Sequence, residues 1–204
     1  MRQNYGPSNF HAFRLLRQQT TGMLQDLRMG VNLDKAEVEK AWLRRLPKAE
    51  LHCHLGGIAD AGELLEIAKA NSRKIGAYYE RLSPWLDGCR KMLDLEGIEK
   101  VGRTLDLKSL RTAVPGVPEP LCTASFLLLF EQSPDDLDRL LFGPCQEEAV
   151  FCGQGFAAYE RFGDLQGSGL LQNEATIRAA CRVLARKAEE NNVRYLELRC
   201  SPAN

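Results

Sequence analysis

Nowhere in this chain do about 18 apolar residues run together, and its N-terminus joins no positive charge to an apolar segment and a small-residue cleavage site. Membrane-spanning helices and secretory signals need those patterns, so the sequence predicts a cytoplasmic protein with no membrane span. Surplus charge is also missing: 27 Lys and Arg balance 27 Asp and Glu in 204 residues. That balance gives no electrostatic support to nucleic acid or an acidic membrane as partner. The seven cysteines, at 53, 89, 122, 145, 152, 181 and 200, contain no CxxC pair. Their spacing argues against a zinc ribbon and against a secreted disulfide framework, and most are expected to be small buried residues. Histidine is scarce, with only His11, His52 and His54. His11 has no motif around it, whereas the other two stand one residue apart.

His52 and His54 lie in the stretch Leu46-Pro47-Lys48-Ala49-Glu50-Leu51-His52-Cys53-His54-Leu55-Gly56-Gly57. Its polarity alternates with period two, so an extended chain places Glu50, His52 and His54 on one face and Leu51, Cys53 and Leu55 on the other. Alternate residues of a strand are about 6.5–7 Å apart, near enough for two imidazoles to converge on one metal ion at the strand's end. Cys53 points to the opposite face and is excluded as a ligand of that ion. The following glycines allow a tight turn or the close approach of a ligand. Taken alone, an HxH pair is equally well read as two half-buried polar residues bonded to their neighbours.

The rest of the chain divides around this strand. Residues 1–45 read as a helical extension, with a partial stripe of Phe10, Phe13, Leu16, Leu24 and Leu27. A second helix follows from an Asp34–Glu37 capping box through Val38, Trp42 and Leu43. The extension is either an oligomerisation arm or a helix packed on the body of the protein. Residues 46–204 begin with a strand at about 48–55 and a helix from Asp60 to Asn71. Between about 60 and 172 lies a long, mostly helical insertion. Tyr78, Tyr79, Leu82, Trp85, Leu86 and Met92 indicate short helices, Val114 to Pro120 a loop, Phe126 to Phe130 the start of an apolar helix, and Ser133-Pro134 another helix start. The glycines at 163, 167 and 169 form no GxGxxG run, so a surface loop explains them better than a phosphate cradle. Asn173 caps a helix over about 174–190 whose Ile177, Ala180, Cys181, Leu184 and Ala188 keep helical spacing, and a two-faced strand follows at about 193–200. There Glu197 and Arg199 share a face and are expected to form a polar pair.

Two of these stretches carry a resemblance. Pro47-Lys48-Ala49-Glu50-Leu51-His52-Cys53-His54-Leu55-Gly56-Gly57 resembles the first barrel strand of the adenosine deaminase family, a Pro-Lys-x-Glu-Leu-His-x-His-Leu-x-Gly run. Tyr195-Leu196-Glu197-Leu198-Arg199-Cys200-Ser201-Pro202 resembles its second strand, usually Tyr-x-Glu-x-Arg-x-Ser-Pro, and Phe126, Leu127 and Phe130 resemble a Phe-Leu-x-x-Phe helix between them. The resemblance implies an α/β fold: the N-terminal portion of a (β/α)8 TIM barrel, holding its first two strands. Such a barrel takes about 250 residues, so the chain is expected to be part of a larger or split protein, inactive alone. Its open sheet edge would be completed by the missing chain or a second subunit, in a homo-oligomer.

In that family the first-strand histidines bind a catalytic Zn2+, a role that falls here on His52 and His54. A third histidine, an aspartate and the proton-handling glutamate and histidine come from later strands, so no catalytic residue is expected within the segment. The implied activity is hydrolytic deamination of adenosine or an adenine nucleotide to the inosine form. Where many members carry Asp or Glu against the ribose 5'-hydroxyl, this chain has Gly56. Gly56 and Gly57 are therefore candidate substrate-contacting positions. Loss of the carboxylate either leaves room for the phosphate of AMP or ATP or serves the turn. Together with the extension and insertion, it resembles the large RADAR-type deaminases of bacterial antiphage systems. The alternatives are another amidohydrolase, or a non-catalytic scaffold or subunit of a deaminase-like assembly.

Overall fold

A computed structural model describes residues 36–143 and 164–200. The fold is mixed α/β, mostly helical, with one two-stranded parallel sheet. Helix α1 (Ala36–Arg45) leads into β1 (Lys48–His54), which ends in a 3-10 turn at Leu55–Gly57. Then come α2 (Ala61–Lys69), α3 (Ser72–Gly76), α4 (Tyr79–Glu96), α5 (Ile98–Thr104), a 3-10 turn at Ser109–Thr112, and α6 (Glu119–Leu127) with a 3-10 continuation to Phe130. Helix α7 (Pro134–Phe142), a π-helical turn at Asp164–Leu170, α8 (Glu174–Glu190) and β2 (Val193–Arg199) complete the order. The N-terminal stripe, the Asp34 cap, His11, Cys145, Cys152 and Gly163 lie outside the described residues.

Parallel pairing requires a crossover between the strands, and here the crossover contains the whole helical body. Its core joins Leu64 and Ile67 of α2, Phe126 and Leu127 of α6, Leu137 of α7 and Val183 of α8. Phe126 anchors it, meeting Phe130 edge-on at 5.8 Å and lying 6.4 Å from Trp85. A second cluster of Leu82, Val114, Val117, Leu121 and Cys122 seats the N-terminal half of α4. Helix α2 begins where its sequence says it should. The Asp60 carboxylate accepts from the Glu63 N–H at 2.9 Å, and the Glu63 carboxylate accepts from the Asp60 N–H at 3.0 Å, a reciprocal cap worth about 1 kcal/mol.

Lys48 and Asn192 set the start of the sheet. The Lys48 ammonium donates to the carbonyls of Arg44 (3.3 Å), Leu46 (3.0 Å) and Asn191 (2.7 Å), joining the C-terminal ends of α1 and α8. Asn192 takes the left-handed conformation at φ 54° and redirects the chain from α8 into β2. Its carbonyl accepts the Lys48 N–H at 3.0 Å, and its side-chain amide donates to the Arg45 carbonyl. The strands then run in register from Lys48 opposite Val193 to His54 opposite Arg199, with irregularities after Lys48 and between Glu50 and Cys53.

Several sequence expectations are corrected. Residues 79–96 form one 18-residue helix rather than short ones, continuing through Pro84. The loop over Val114–Pro120 ends earlier than expected, because Glu119 and Pro120 already form the first turn of α6. Proline is tolerated there, since a first-turn N–H has no helical partner. The apolar run at Phe126 accordingly ends that helix instead of starting one. On α8 the buried residues are Thr176, Ala179, Ala180 and Val183, while Ile177 and Cys181 are exposed. The buried stripe is rotated by one position because the Asn173 cap, the hydroxyl of Thr176 and the Leu170 carbonyl fix the first turn. Of the five described cysteines only Cys89 and Cys122 are buried. Among the described residues, no helix is long and apolar enough to cross a membrane.

Candidate metal centre

β1 carries His52 and His54 to its C-terminal end with both side chains exposed. Their Nε2 atoms stand 2.8 Å apart, with ring centroids at 4.8 Å and planes inclined by 54°. Two neutral rings so placed share one proton: one Nε2 donates and the other accepts. Tetrahedral zinc with bonds of ~2.0–2.1 Å sets two ligand nitrogens about 3.3 Å apart. For both to ligate one ion the pair would have to open by about half an ångström. The donor atoms fit such an ion in kind and spacing. They supply two ligands, where a catalytic zinc takes three from protein. Among the described residues, no group of three or more His, Cys, Asp and Glu side chains is placed to hold a metal ion.

Glu50 does not follow the strict alternation that the sequence suggests. The ladder places Glu50 opposite Leu196 and Cys53 opposite Leu198, so β1 has one extra residue between them, and such a bulge changes which face a side chain joins. The Glu50 carboxylate turns back to accept the His52 N–H at 3.2 Å, fixing the backbone of the first histidine. Cys53 is half-buried, and burial, followed by the negative charge of Glu50, pushes its thiol pKa up. A thiol held protonated is a poor ligand and nucleophile.

On β2, Arg199 lies in register with His54. Glu197 accepts a hydrogen bond from the Tyr195 hydroxyl at 2.9 Å, which raises the tyrosine pKa, with the carboxylate charge adding to the effect. Among the described residues no ion pair joins Glu197 to Arg199, so the expected polar pair does not form. The phenol two residues earlier reaches the carboxylate instead.

Beyond His54 the chain enters its 3-10 turn. Leu55 is sunk in the core, while Gly57 is exposed and a Cβ added there would meet nothing within 4 Å. Open space therefore faces Gly57, while Gly56 is half-buried beside Gly167. The far side of the turn is gripped twice. The Lys187 ammonium donates to the Ile58 carbonyl at 2.8 Å, and Gln166 bonds the backbone of Ala59. The π-helical turn that carries Gln166 is closed on itself, its carbonyls at 166 and 167 accepting from the Leu171 N–H. Sequence reasoning missed Gln166. A single glutamine among glycines has no periodicity to mark it as buried.

Comparison of the chain with family models, with curated proteins and with solved structures finds no match.

Proposed function

We propose that His52 and His54 are two ligands of a catalytic zinc in a hydrolytic deaminase acting on adenosine or an adenine nucleotide. The observation that supports this most is the approach of the two Nε2 atoms to 2.8 Å at the C-terminal end of a parallel strand, where α/β barrels build their active sites. The strand motifs already described point to the same chemistry. In this reading β1 and β2 are the first two strands of a (β/α)8 barrel. The exposure of Leu51 (60%), Tyr195 (55%) and Leu198 (37%) agrees with a sheet to be covered by further β/α units, since parallel sheets are normally buried on both faces. Remaining ligands and the proton-transfer groups come from polypeptide beyond the described residues or from a second subunit.

When bound, zinc supplies the Lewis acidity that makes water nucleophilic near neutral pH, and the exocyclic amine of adenine leaves as ammonia. The chain's own residues orient that chemistry. His52 and His54 hold the ion through Nε2, and Glu50 holds the His52 backbone. The open space at Gly57 receives substrate, and the absence of a carboxylate at Gly56 spares a 5'-phosphate from repulsion.

The test is metal analysis of the intact protein together with deamination assays on adenosine, AMP and ATP. The expected result is about one zinc per active site, lost in His52→Ala and in His54→Ala, with turnover of the nucleotides. Absence of both stoichiometric zinc and purine turnover would leave the scaffold reading in its place.

A further inference from the structure

Gln166 is 4% exposed, and among the described residues both hydrogen bonds of its side chain go to one residue. Its Nε2 donates to the Ala59 carbonyl at 3.0 Å, and its Oε1 accepts the Ala59 N–H at 3.4 Å. A neighbouring strand would satisfy a residue in this manner; here one side chain 107 residues away does so. Ala59 follows directly on the 3-10 turn Leu55–Gly57 and its cap Ile58, and the next residue in the π-helical segment, Gly167, lies against Gly56, with a built Cβ 3.9 Å from the Gly56 Cα. Metal-binding histidines are usually oriented by a partner on the second ring nitrogen. Among the described residues neither His52 nor His54 has one, the only hydrogen bond of either ring being their mutual contact. The direction of the His54 ring is therefore inherited from its backbone.

We propose that Gln166 is a positioning residue for the metal centre: by clamping Ala59 it fixes the turn from Leu55 to Ala59, and through it the direction in which His54 presents Nε2. The inference rests on the zinc reading above. It joins the long helical insertion to the metal site through one side chain.

The test replaces Gln166 in the full chain by Met, which keeps the side-chain length and removes both hydrogen bonds, and by Glu, which keeps an acceptor for the Ala59 N–H and loses the donor. Two readouts are taken: hydrogen exchange across residues 52–60, and affinity for Zn2+ or Co2+ added alone. Gln166→Met is expected to speed exchange over 54–60 while leaving helix 79–96 unchanged, and to weaken metal binding about 10-fold; Gln166→Glu falls between. Wild-type affinity in Gln166→Met, with binding by the parent measurable, overturns the positioning role and leaves the zinc reading standing. Failure of the parent to bind either metal overturns both. If Gln166→Met does not fold, Gln166→Glu carries the comparison, and unchanged affinity in it overturns the proposal.

Discussion

Replacing Lys48 by Met tests how the sheet is anchored. The ammonium serves three carbonyls at once, those of Arg44, Leu46 and Asn191, two of them at or beside the C-terminal ends of α1 and α8. A hydrogen bond to a charged group contributes about 1.5–3 kcal/mol when sheltered. The bonds to Arg44 and Asn191 are exposed and only that to Leu46 is partly buried, so water re-satisfies most of what the variant uncovers. Favourable placement of a cation at helix C-termini adds about 0.3–1 kcal/mol. The net loss expected for Lys48→Met is therefore about 1–2 kcal/mol, or a fall in Tm of about 3–6 °C for a chain of this size. Urea denaturation gives the free energy directly, and an unchanged m-value shows that the unfolding reaction is the same. Lys48→Arg should recover only part of the loss, because a planar guanidinium cannot direct donors to three converging carbonyls as an ammonium does. A loss below ~0.3 kcal/mol in Lys48→Met would refute the reasoning and reduce the triple contact to a surface ornament.

Gly102→Ala should cost about 2 kcal/mol or more, since a Cβ there would fall on the Leu140 carbonyl and force α5 away from α7; a denaturation midpoint equal to that of the parent would show that the two helices can separate freely. Asp138 has its carboxyl pKa raised by burial, with the charges of Asp60 and Asp135 adding to it. The folded state thus holds this proton more tightly than the unfolded chain does. Ionised Asp138 opposes folding at neutral pH, and the penalty fades as pH falls through the raised pKa and is gone below the unfolded value of ~3.9. Asp138→Asn should therefore melt higher than the parent at pH 7, with the gain vanishing near pH 3; a gain independent of pH would point to packing instead.

Local signals in the sequence were read correctly wherever the chain's own neighbours decide the structure. The helix start at Asp60, the Asn173 cap and the Ser133-Pro134 helix start each depend on atoms within a few residues. Both strands are likewise found within a residue of where alternation placed them. What alternation could not supply is the bulge between Glu50 and Cys53, because it arises from pairing with β2, about 145 residues later. The rotated face of α8 goes with a contact just outside the helix, the Thr176 hydroxyl bonding the Leu170 carbonyl six residues back. For the candidate site, the approach of His52 to His54 was legible from an HxH on a strand, whereas the tethers that aim it were not.

Those tethers explain how an exposed strand can still be placed well enough to bring two rings together. Neither face of β1 is fully packed, as Leu51 at 60%, the exposed histidines and the half-buried Cys53 show, so hydrophobic burial does little to locate it. Its start is fixed by polar contacts from Lys48 and Asn192 to the ends of two helices. Its end is fixed by Leu55 in the core and by Lys187 and Gln166 on the backbone of the next turn. A seven-residue strand held at both ends has little freedom left in between, since fixing each backbone residue already removes about 1–2 kcal/mol of conformational entropy. The helical body thus acts on the histidines through the termini of the strand and not through its faces.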